Sequence, residues 1–311
     1  MRIVFLGTPE FAVPSLRALV GNGHHVAAVF TQPDRPKGRG NQITESPVKK
    51  TAAELGISVQ QPERIRRPES IELLKELRPD MMVVVGYGQI IPQTIIDIPR
   101  HGILNVHASL LPKYRGAAPI QWSIANGDAE TGVTIMQIDA GLDTGDMLMK
   151  KAVAIDPAET APELSMRLAP LGASLLLEVI REIEAGGSIR EKQDEAVASY
   201  ARILKKEDGL IDWSSPAIVI YNRLRGFTPW PGAYTTFRGQ QLSLLRAHVA
   251  EGSGLPPGSL YSDGRRLLAA CGEDTALEIE ELQLAGKKRM HAESFLNGYK
   301  LAGNEFLGEH L

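Results

Sequence analysis

The sequence predicts an α/β protein with two domains: residues 1–189 around a mostly parallel sheet, and residues 210–311 as a small β-barrel. The chain has 311 residues, which is more than one ordinary domain holds. Near its start, the apolar run Ile3–Leu6, the helical pattern Phe11–Val20 and the apolar run His25–Phe30 follow one another with short connections. This order is typical of a βαβ unit, which implies parallel strands.

Further helices and strands of the first domain follow along the chain. A helix over 46–55 begins at the N-cap Ser46 with Pro47 in its first position. A long helix ends at Gly186 and Gly187, a good stop signal. The predicted elements between them are a helix over about 69–77, strands over 81–85, 103–106 and 134–138, and the long helix over about 162–185.

The chain changes character after Gly187. Residues 190–209 mix charges with few periodic apolar positions, so they are predicted to be a linker. A helix over about 216–226 comes next, and then short apolar segments separated by turn signals. These segments are 233–237, 241–247, 258–261, 267–271 and 276–284. Short strands at this spacing indicate a small β-barrel or sandwich.

Composition narrows the class of protein. Hydrophobic content of 43% and charged content of 23% are typical of a folded chain. The single cysteine, Cys271, excludes an intramolecular disulfide framework and a Cys-rich zinc site. No apolar run has the length of a membrane-spanning helix, and Gly7 comes too early for a signal-peptide core. We therefore expect a cytoplasmic protein, and the net charge of −3 argues against a nucleic-acid partner.

Several common nucleotide and hydrolase motifs are missing. The turn over 7–12 reads GTPEFA, so it lacks the later glycines of a dinucleotide fingerprint, and Glu10 would repel a pyrophosphate. No P-loop motif occurs, and no G-x-S-x-G elbow surrounds Ser109. His24 and His25 are adjacent before a strand and would point to opposite faces, which disfavours a shared metal.

Asn105 and His107 are the strongest candidates for chemistry. On a strand over 103–107 they point to the same face, close to the carboxyl end where open α/β sheets bind ligands. An amide can stabilise the negative charge that develops on a carbonyl oxygen, and an imidazole can move a proton. The alternative is a polar pair that is simply satisfied in the core.

An acidic, glycine-containing stretch over 137–146 offers Asp139, Asp143 and Asp146. One of them could fold back, orient His107 and stabilise its charged form. The alternatives are a solvated acidic loop or a cation site. The stretch lacks the D-x-D-x-D-G spacing of a calcium loop, so no metal is expected.

Taken together, these residues resemble the folate-dependent formyltransferases, and within them the branch that acts on methionyl-tRNA. The likeness covers nearly the whole chain. The segments that carry it are FLGTPEF at 5–11, TQPDRP at 31–36, HASLLPKYRGAAPIQ at 107–121, GVTIMQ at 132–137, FTPWP at 227–231 and AGKK at 285–288.

The resemblance implies a fold and a reaction. The fold is a Rossmann-like formyltransferase domain followed by an OB-like β-barrel. The reaction moves the formyl group of 10-formyltetrahydrofolate to the α-amino group of methionyl-initiator tRNA, giving N-formylmethionyl-tRNA for translation initiation. Asn105 would bind the formyl oxygen, His107 would act in proton transfer, and Asp143 would hold His107 and an ordered water.

The resemblance also implies where the folate co-substrate binds. One wall of its pocket would come from Ser109, Leu110, Leu111 and Pro112. The backbone of Tyr87, Gly88, Gln89 and Ile90 would line the pterin. No metal and no covalent intermediate are implied, and we expect a monomer.

The partner prediction depends on local charge. Residues 33–50 hold five basic residues against two acidic ones, a net charge of +3 that leaves −6 for the rest of the chain. The resemblance implies that this loop, with Arg39, enters the tRNA acceptor stem, and Arg35 and Lys37 are further candidates for tRNA contacts. The basic residues Lys287 and Lys288 of the second domain would contact phosphate. Without the resemblance, a flexible charged loop would be the default interpretation.

Two other functions stay open at this point. The same folate chemistry could serve another acceptor, a nucleotide precursor or a sugar amine. The chain could also be an RNA-binding protein that keeps the fold without catalysis. The long basic loop and the second domain argue against the first alternative. Substitution of Asn105 or His107 decides the second.

Overall fold

The structure is a computed structural model, and it describes residues 1–37, 42–187, 189–303 and 305–308. Contacts divide the chain into two compact units. Unit 1 comprises Met1–Pro119, Glu130–Ala154 and Leu164–Arg202; unit 2 comprises Ile120–Ala129, Ile155–Glu163 and Ile203–Leu311. The predicted boundaries after residues 189 and 209 stay predictions. No helix in the described part of the chain is long and apolar enough to cross a bilayer.

Strands and helices alternate in the first half of the chain, and strands dominate the second. The strands are β1 Arg2–Gly7, β2 His25–Phe30, β3 Arg35–Lys37, β4 Gln42–Thr44, β5 Val59–Gln60, β6 Met81–Val85, β7 Ile103–His107, β8 Arg115–Gly116, β9 Glu130–Gln137, β10 Met147–Ala154, β11 Tyr200–Ala201, β12 Ala233–Phe237, β13 Gln240–Glu251, β14 Ser259–Ser262, β15 Leu267–Cys271, β16 Thr275–Leu284, β17 Met290–His291 and β18 Glu305–Phe306. The helices are α1 Val13–Gly21, α2 Pro47–Glu54, α3 Pro68–Leu77, α4 Gln93–Ile96, α5 Pro119–Ala125, α6 Ala161–Glu184, α7 Ala217–Gly226 and α8 Ala292–Gly298.

Unit 1 contains a seven-stranded sheet in the order β10-β9-β7-β6-β1-β2-β5. The five strands from β7 to β5 are parallel, and β9 and β10 are antiparallel to their neighbours. β6 and β7 are buried at every position, as expected of parallel strands with both faces covered. The mostly parallel sheet is therefore confirmed, and it brings the carboxyl ends of β1, β6 and β7 to one edge.

Local signals account for several of the predicted elements. The Ser46 hydroxyl caps α2 by accepting a hydrogen bond from the Lys49 backbone N–H, and Pro47 occupies the first helical position. α6 is preceded by a short turn and ends close to the Gly186 and Gly187 stop signal. Strands β2, β6, β12 and β15 match the predicted ranges closely.

Other elements were missed for identifiable reasons. β10 lies at the sheet edge and carries Lys150 and Lys151 in its middle, so it has no apolar run. α5 has only seven residues, too few for a clear helical period. The segment between β2 and α2 was predicted as a loop, but its described parts pair as the hairpin of β3 and β4. Glycines 38 and 40 lie outside the described residues.

Unit 2 contains an antiparallel sheet in the order β12-β13-β16-β15-β14-β18, with β17 paired to β16. An antiparallel bridge between Phe237 and Leu307 joins its two edges, which gives the sheet a barrel-like form. Phe295 of α8 packs in the core against Phe237 and Tyr299. The predicted α/β fold class, with a parallel-sheet part followed by a barrel-like part, is confirmed.

Candidate active site

Asn105 and His107 lie at the carboxyl end of β7, in the middle of the sheet. β7 pairs with β6 on one side and with β9 on the other, and His107 stands opposite Thr134. Asn105 is 8% exposed and His107 is 5% exposed. Because they are two residues apart on one strand, their side chains share a face. The structure therefore brings these two predicted residues together.

Asp143 completes the group from the loop between β9 and β10. Its Oδ1 accepts a hydrogen bond from Asn105 Nδ2 at 3.2 Å, and its Oδ2 accepts one from the Gly116 backbone N–H at 2.8 Å. Oδ2 also lies 3.7 Å from His107 Nδ1. Of the three candidate aspartates, Asp143 is thus the one that folds back to His107.

The loop that carries Asp143 needs tight backbone approaches. Asp139 closes its turn by accepting hydrogen bonds from the Gly141 N–H at 3.0 Å and the Thr144 hydroxyl at 2.7 Å. At Gly145, a Cβ atom would come within 1.8 Å of the Gln137 carbonyl oxygen, so only glycine fits. Asp143 itself has a φ of +53°, a conformation that non-glycine residues adopt rarely.

The contacts of His107 define which nitrogen carries a proton. Nε2 lies 2.9 Å from the backbone carbonyl oxygen of Tyr114. A carbonyl oxygen only accepts hydrogen bonds, so Nε2 must be the donor. Nδ1 then faces the Asp143 carboxylate and is the nitrogen that can take up a further proton. When it does so, Asp143 stabilises the resulting imidazolium.

The wall predicted from residues 109–112 divides into buried and accessible side chains. The Ser109 hydroxyl is fully buried and donates to the Lys113 carbonyl oxygen at 2.6 Å. Leu111 is buried against Met136 and Met147. Leu110 and Pro112 are half-buried. A ligand at this wall can therefore meet the side chains of Leu110 and Pro112, whereas Ser109 and Leu111 support them from the core.

Residues 87–90 follow the carboxyl end of β6, next to β7. Tyr87 is buried, and burial raises the pKa of its phenol above the usual range. Its backbone carbonyl oxygen accepts hydrogen bonds from the Thr8 hydroxyl and from Gln32 Nε2. The Gln89 side chain is held by backbone groups of residues 62 and 65. Gly88 has a φ of +81°, and Ile90 is 88% exposed.

A second group of residues, which was not predicted from the sequence, contacts the loop that carries Asp143. Residues 190–202, predicted as linker, belong to unit 1, and β11 pairs in parallel with β8. Gln193 and Glu195 of this segment both bond the fully buried Arg115 of β8. No local sequence pattern signals these contacts, because they join residues about 80 positions apart.

The residues predicted to bind tRNA are only partly described. Arg35 is exposed on β3, and Lys37 lies on the same strand. Arg39 lies outside the described residues. Lys49 forms ion pairs with both acidic residues of the segment, Asp34 and Glu45.

Lys287 and Lys288 are exposed in the turn between β16 and β17 of unit 2. Among the described residues, no carboxylate lies within ion-pair distance of either lysine, whereas the neighbouring Arg289 pairs with Glu281 at 3.0 Å. Both lysines are therefore available to an external anion. In the described part of the chain, no group of three or more His, Cys, Asp or Glu side chains could hold a metal ion.

Comparison with known proteins then decides the family. The formyl transferase family model matches residues 1–180, and the model of the formyl transferase C-terminal domain matches residues 203–300. The methionyl-tRNA formyltransferase of Solibacter usitatus is 57% identical over 310 residues, which is 99% of each chain. That of Geobacter sulfurreducens is 52% identical over 99% of this chain and 97% of its own.

The chain belongs to the methionyl-tRNA formyltransferase family. The resemblance found in the sequence is therefore confirmed, and so is the enzyme class.

Solved structures at lower identity share the fold. The sugar 3N-formyl transferase WlaRD matches with a TM-score of 0.68 at 20% identity, covering 93% of this chain and 99% of its own. An N-formyltransferase from Helicobacter canadensis matches with a TM-score of 0.66 at 18% identity, covering 89% and 98%. At this level of identity the likeness supports the fold alone.

Proposed function

We propose that the protein transfers the formyl group of 10-formyltetrahydrofolate to the α-amino group of methionyl-initiator tRNA, giving N-formylmethionyl-tRNA for translation initiation. One observation carries the proposal: in a chain of this family, Asn105, His107 and Asp143 meet at the carboxyl end of the sheet. That edge is where open α/β sheets bind their ligands. The monomeric state and the cytoplasmic location stay predictions.

Asn105 binds the formyl oxygen. Its side-chain amide has two N–H groups, and one of them is already donated to Asp143 at 3.2 Å. The second N–H remains for a carbonyl oxygen of the substrate. Because Asp143 fixes the amide plane, the donor is in place before negative charge develops on that oxygen. A pre-oriented donor of this kind lowers the barrier to acyl transfer.

His107 and Asp143 handle the proton. An attacking α-amino group must lose a proton, and Nδ1 of His107 is the acceptor because Nε2 already donates to the Tyr114 carbonyl oxygen. Asp143 Oδ2, 3.7 Å from Nδ1, stabilises the positive charge that the ring gains. The Gly116 N–H at 2.8 Å keeps this carboxylate oriented. An ordered water held by Asp143 stays part of the proposal.

The exposed side chains near the site fit a folate. Ile90, in the segment that follows β6, is 88% exposed, and Leu142, next to Asp143 in the chain, is 60% exposed. Covering such side chains with a flat ring system removes apolar surface from water, which favours binding. We propose that these residues, Leu110 and Pro112 hold the folate, with backbone from 87–90 lining the pterin. The bound co-substrate supplies the formyl group from N10 and takes up there the proton that the α-amino group loses.

Basic residues of both units are proposed to bind the tRNA. In unit 1 these are Arg35, Lys37 and Arg39 of the loop between β2 and α2. In unit 2 they are Lys287 and Lys288. Lysine and arginine contacts to phosphate are sequence-independent and displace counterions. We therefore expect them to set the position of the tRNA and its affinity, with a strong dependence on salt.

Transfer of labelled formyl from 10-formyltetrahydrofolate to methionyl-initiator tRNA tests the reaction, with methionyl-elongator tRNA as the control acceptor. We expect His107→Ala to lower kcat at least about 10²-fold, since it removes the proton acceptor. His25→Ala is the matched control, because His25 is an exposed histidine on β2 that contacts Arg2. It should keep wild-type activity.

Three results would contradict the proposal. The wild-type protein could fail to formylate methionyl-initiator tRNA but formylate an amino sugar. It could formylate both tRNAs equally, which would exclude selection of the initiator. His107→Ala could retain full activity with its fold intact, which would favour an RNA-binding protein that does not use this site.

A further inference from the structure

The side chain of Gln193 spans the gap between the segment 190–202 and the catalytic loop. Its Nε2 donates to the Asp143 carbonyl oxygen at 2.7 Å and to the Gly145 carbonyl oxygen at 2.8 Å. Its Oε1 accepts from Arg115 Nε at 2.9 Å. An arginine only donates and a carbonyl only accepts, so the orientation of this amide is unambiguous. Both polar atoms of the Gln193 side chain are therefore bonded within the protein.

The two carbonyls that Gln193 holds bracket the turn at the catalytic carboxylate. Asp143 has a φ of +53°, which a non-glycine residue keeps only when its surroundings hold it there. Its carboxylate is held by Asn105 and Gly116, but its own backbone is held by Gln193. The distance of 3.7 Å between Asp143 Oδ2 and His107 Nδ1 therefore depends on both sets of contacts.

Arg115 links Gln193 to the other partners of the catalytic side chains. Its guanidinium is fully buried and makes a bidentate pair with Glu195, with both distances at 2.8 Å. Its two chain neighbours contact the site directly: the Tyr114 carbonyl oxygen accepts from His107, and the Gly116 N–H donates to Asp143. The buried Arg115 is thus connected to His107 through Tyr114 and to Asp143 through Gly116.

We propose that Gln193 is a positioning residue for formyl transfer, acting through the backbone of Asp143 to hold its carboxylate beside His107. The proposal rests on the proposed function, since it assigns Gln193 a part in that reaction. Gln193 contacts no reacting atom, so its loss should lower kcat and leave substrate affinity unchanged. A shift of about 1 Å in a catalytic group can cost about 100-fold in rate. We expect Gln193→Met to lower kcat about 10- to 100-fold.

Two substitutions of Gln193 separate positioning from simple structural support. Gln193→Met keeps the length of the side chain and removes its hydrogen bonds. Gln193→Glu still accepts from Arg115, now with a charge, but cannot donate to the two carbonyls when ionised. If donation to the loop matters, Gln193→Glu is as slow as Gln193→Met. If only the contact with Arg115 matters, Gln193→Glu restores the wild-type rate and overturns the proposal.

A double-mutant cycle with Asp143→Asn gives the decisive readout. We measure kcat and both KM values for wild type, Gln193→Met, Asp143→Asn and the double mutant, using methionyl-initiator tRNA and 10-formyltetrahydrofolate. If Gln193 acts through Asp143, the substitution at 193 changes kcat less than about threefold once Asp143 is already replaced. Gln60→Met is the matched control, because Gln60 is half-buried on the far edge strand β5 and bonds Ser58. It should keep the wild-type kcat.

The possible outcomes are distinguishable. The proposal is supported if kcat is reduced in both Gln193→Met and Gln193→Glu while both KM values stay within about twofold of wild type. It also requires that replacing Gln193 causes no further loss of kcat in the Asp143→Asn background. A wild-type kcat, an effect confined to KM, or an effect that multiplies with Asp143→Asn overturns it. If Gln193→Met does not fold, Gln193→Glu alone carries the cycle. Two other results would instead contradict the proposed function itself. Either the wild-type protein does not transfer the formyl group, or Asp143→Asn keeps full activity.

Discussion

Replacement of Asn105 by alanine tests its proposed role as a hydrogen-bond donor to the formyl oxygen. In the structure, one N–H of the amide is donated to Asp143 at 3.2 Å, and we propose that the other binds the substrate. Loss of a single donor to a developing oxyanion costs about 2.7–4 kcal/mol, which corresponds to about 10²–10³ in kcat. Asp143 keeps the Gly116 N–H at 2.8 Å, so its carboxylate should stay in place. We therefore expect kcat to fall by that factor while the KM values for both substrates change little.

Steady-state formylation of methionyl-initiator tRNA, with each substrate varied in turn, measures this effect. Asn22→Ala is the matched control, since Asn22 is an exposed asparagine whose Nδ2 donates to the Ala18 carbonyl oxygen at the end of α1. Its kcat should equal that of wild type, and circular dichroism should show both variants folded. A kcat within about tenfold of wild type for Asn105→Ala, or a change confined to KM, would refute the role of the amide in the transition state.

Three further predictions concern other parts of the chain. Replacing both Lys287 and Lys288 by alanine should weaken tRNA binding and leave the KM for folate unchanged. The slope of log affinity against log salt concentration should become less steep by about 1 to 2. An unchanged slope would exclude phosphate contacts by these lysines. Phe295→Ala should lower the free energy of unfolding, measured by denaturant titration, by about 3–5 kcal/mol. The reason is that the ring is fully buried and stacks on Tyr299, with 4.8 Å between the ring centroids. A loss below about 1 kcal/mol would contradict this packing. Burial raises the pKa of the Cys271 thiol to about 12. Between about pH 9 and 12 the unfolded chain therefore releases a proton that the folded chain keeps. Because of this, the free energy of unfolding should fall as pH rises, by at most about 1.4 kcal/mol per pH unit. Cys271→Ala should remove this contribution to the dependence of the unfolding free energy on pH.

Local patterns were enough for most of the fold. β6 and β7 could be located because parallel strands covered on both faces are continuous apolar runs. α2 could be located because Ser46 and Pro47 mark its start by a mechanism that involves only the next few residues. The common face of Asn105 and His107 follows from the two-residue period of a strand.

The strands and residues that were missed depend on contacts distant in sequence. β10 is stabilised as an edge strand by pairing with β9, although Lys150 and Lys151 give it a polar character. The interpretation of 190–209 as a plain linker did not anticipate β11 or the contacts of Gln193. A glutamine among charged residues has no periodicity that would mark it as part of a site.

By itself, the sequence determined the central strands and the main helices, the family, and the pair of Asn105 and His107. Each of these depends on neighbours along the chain or on motifs that are intact in it. The family resemblance already pointed to Asp143, but only the tertiary structure shows the contacts themselves. The Asp143 carboxylate lies 3.7 Å from His107 Nδ1, and Gln193 holds the Asp143 backbone. Contacts between residues so far apart exist only after the chain has closed the intervening loop. That closure depends on the packing of the whole unit, and no short segment records it.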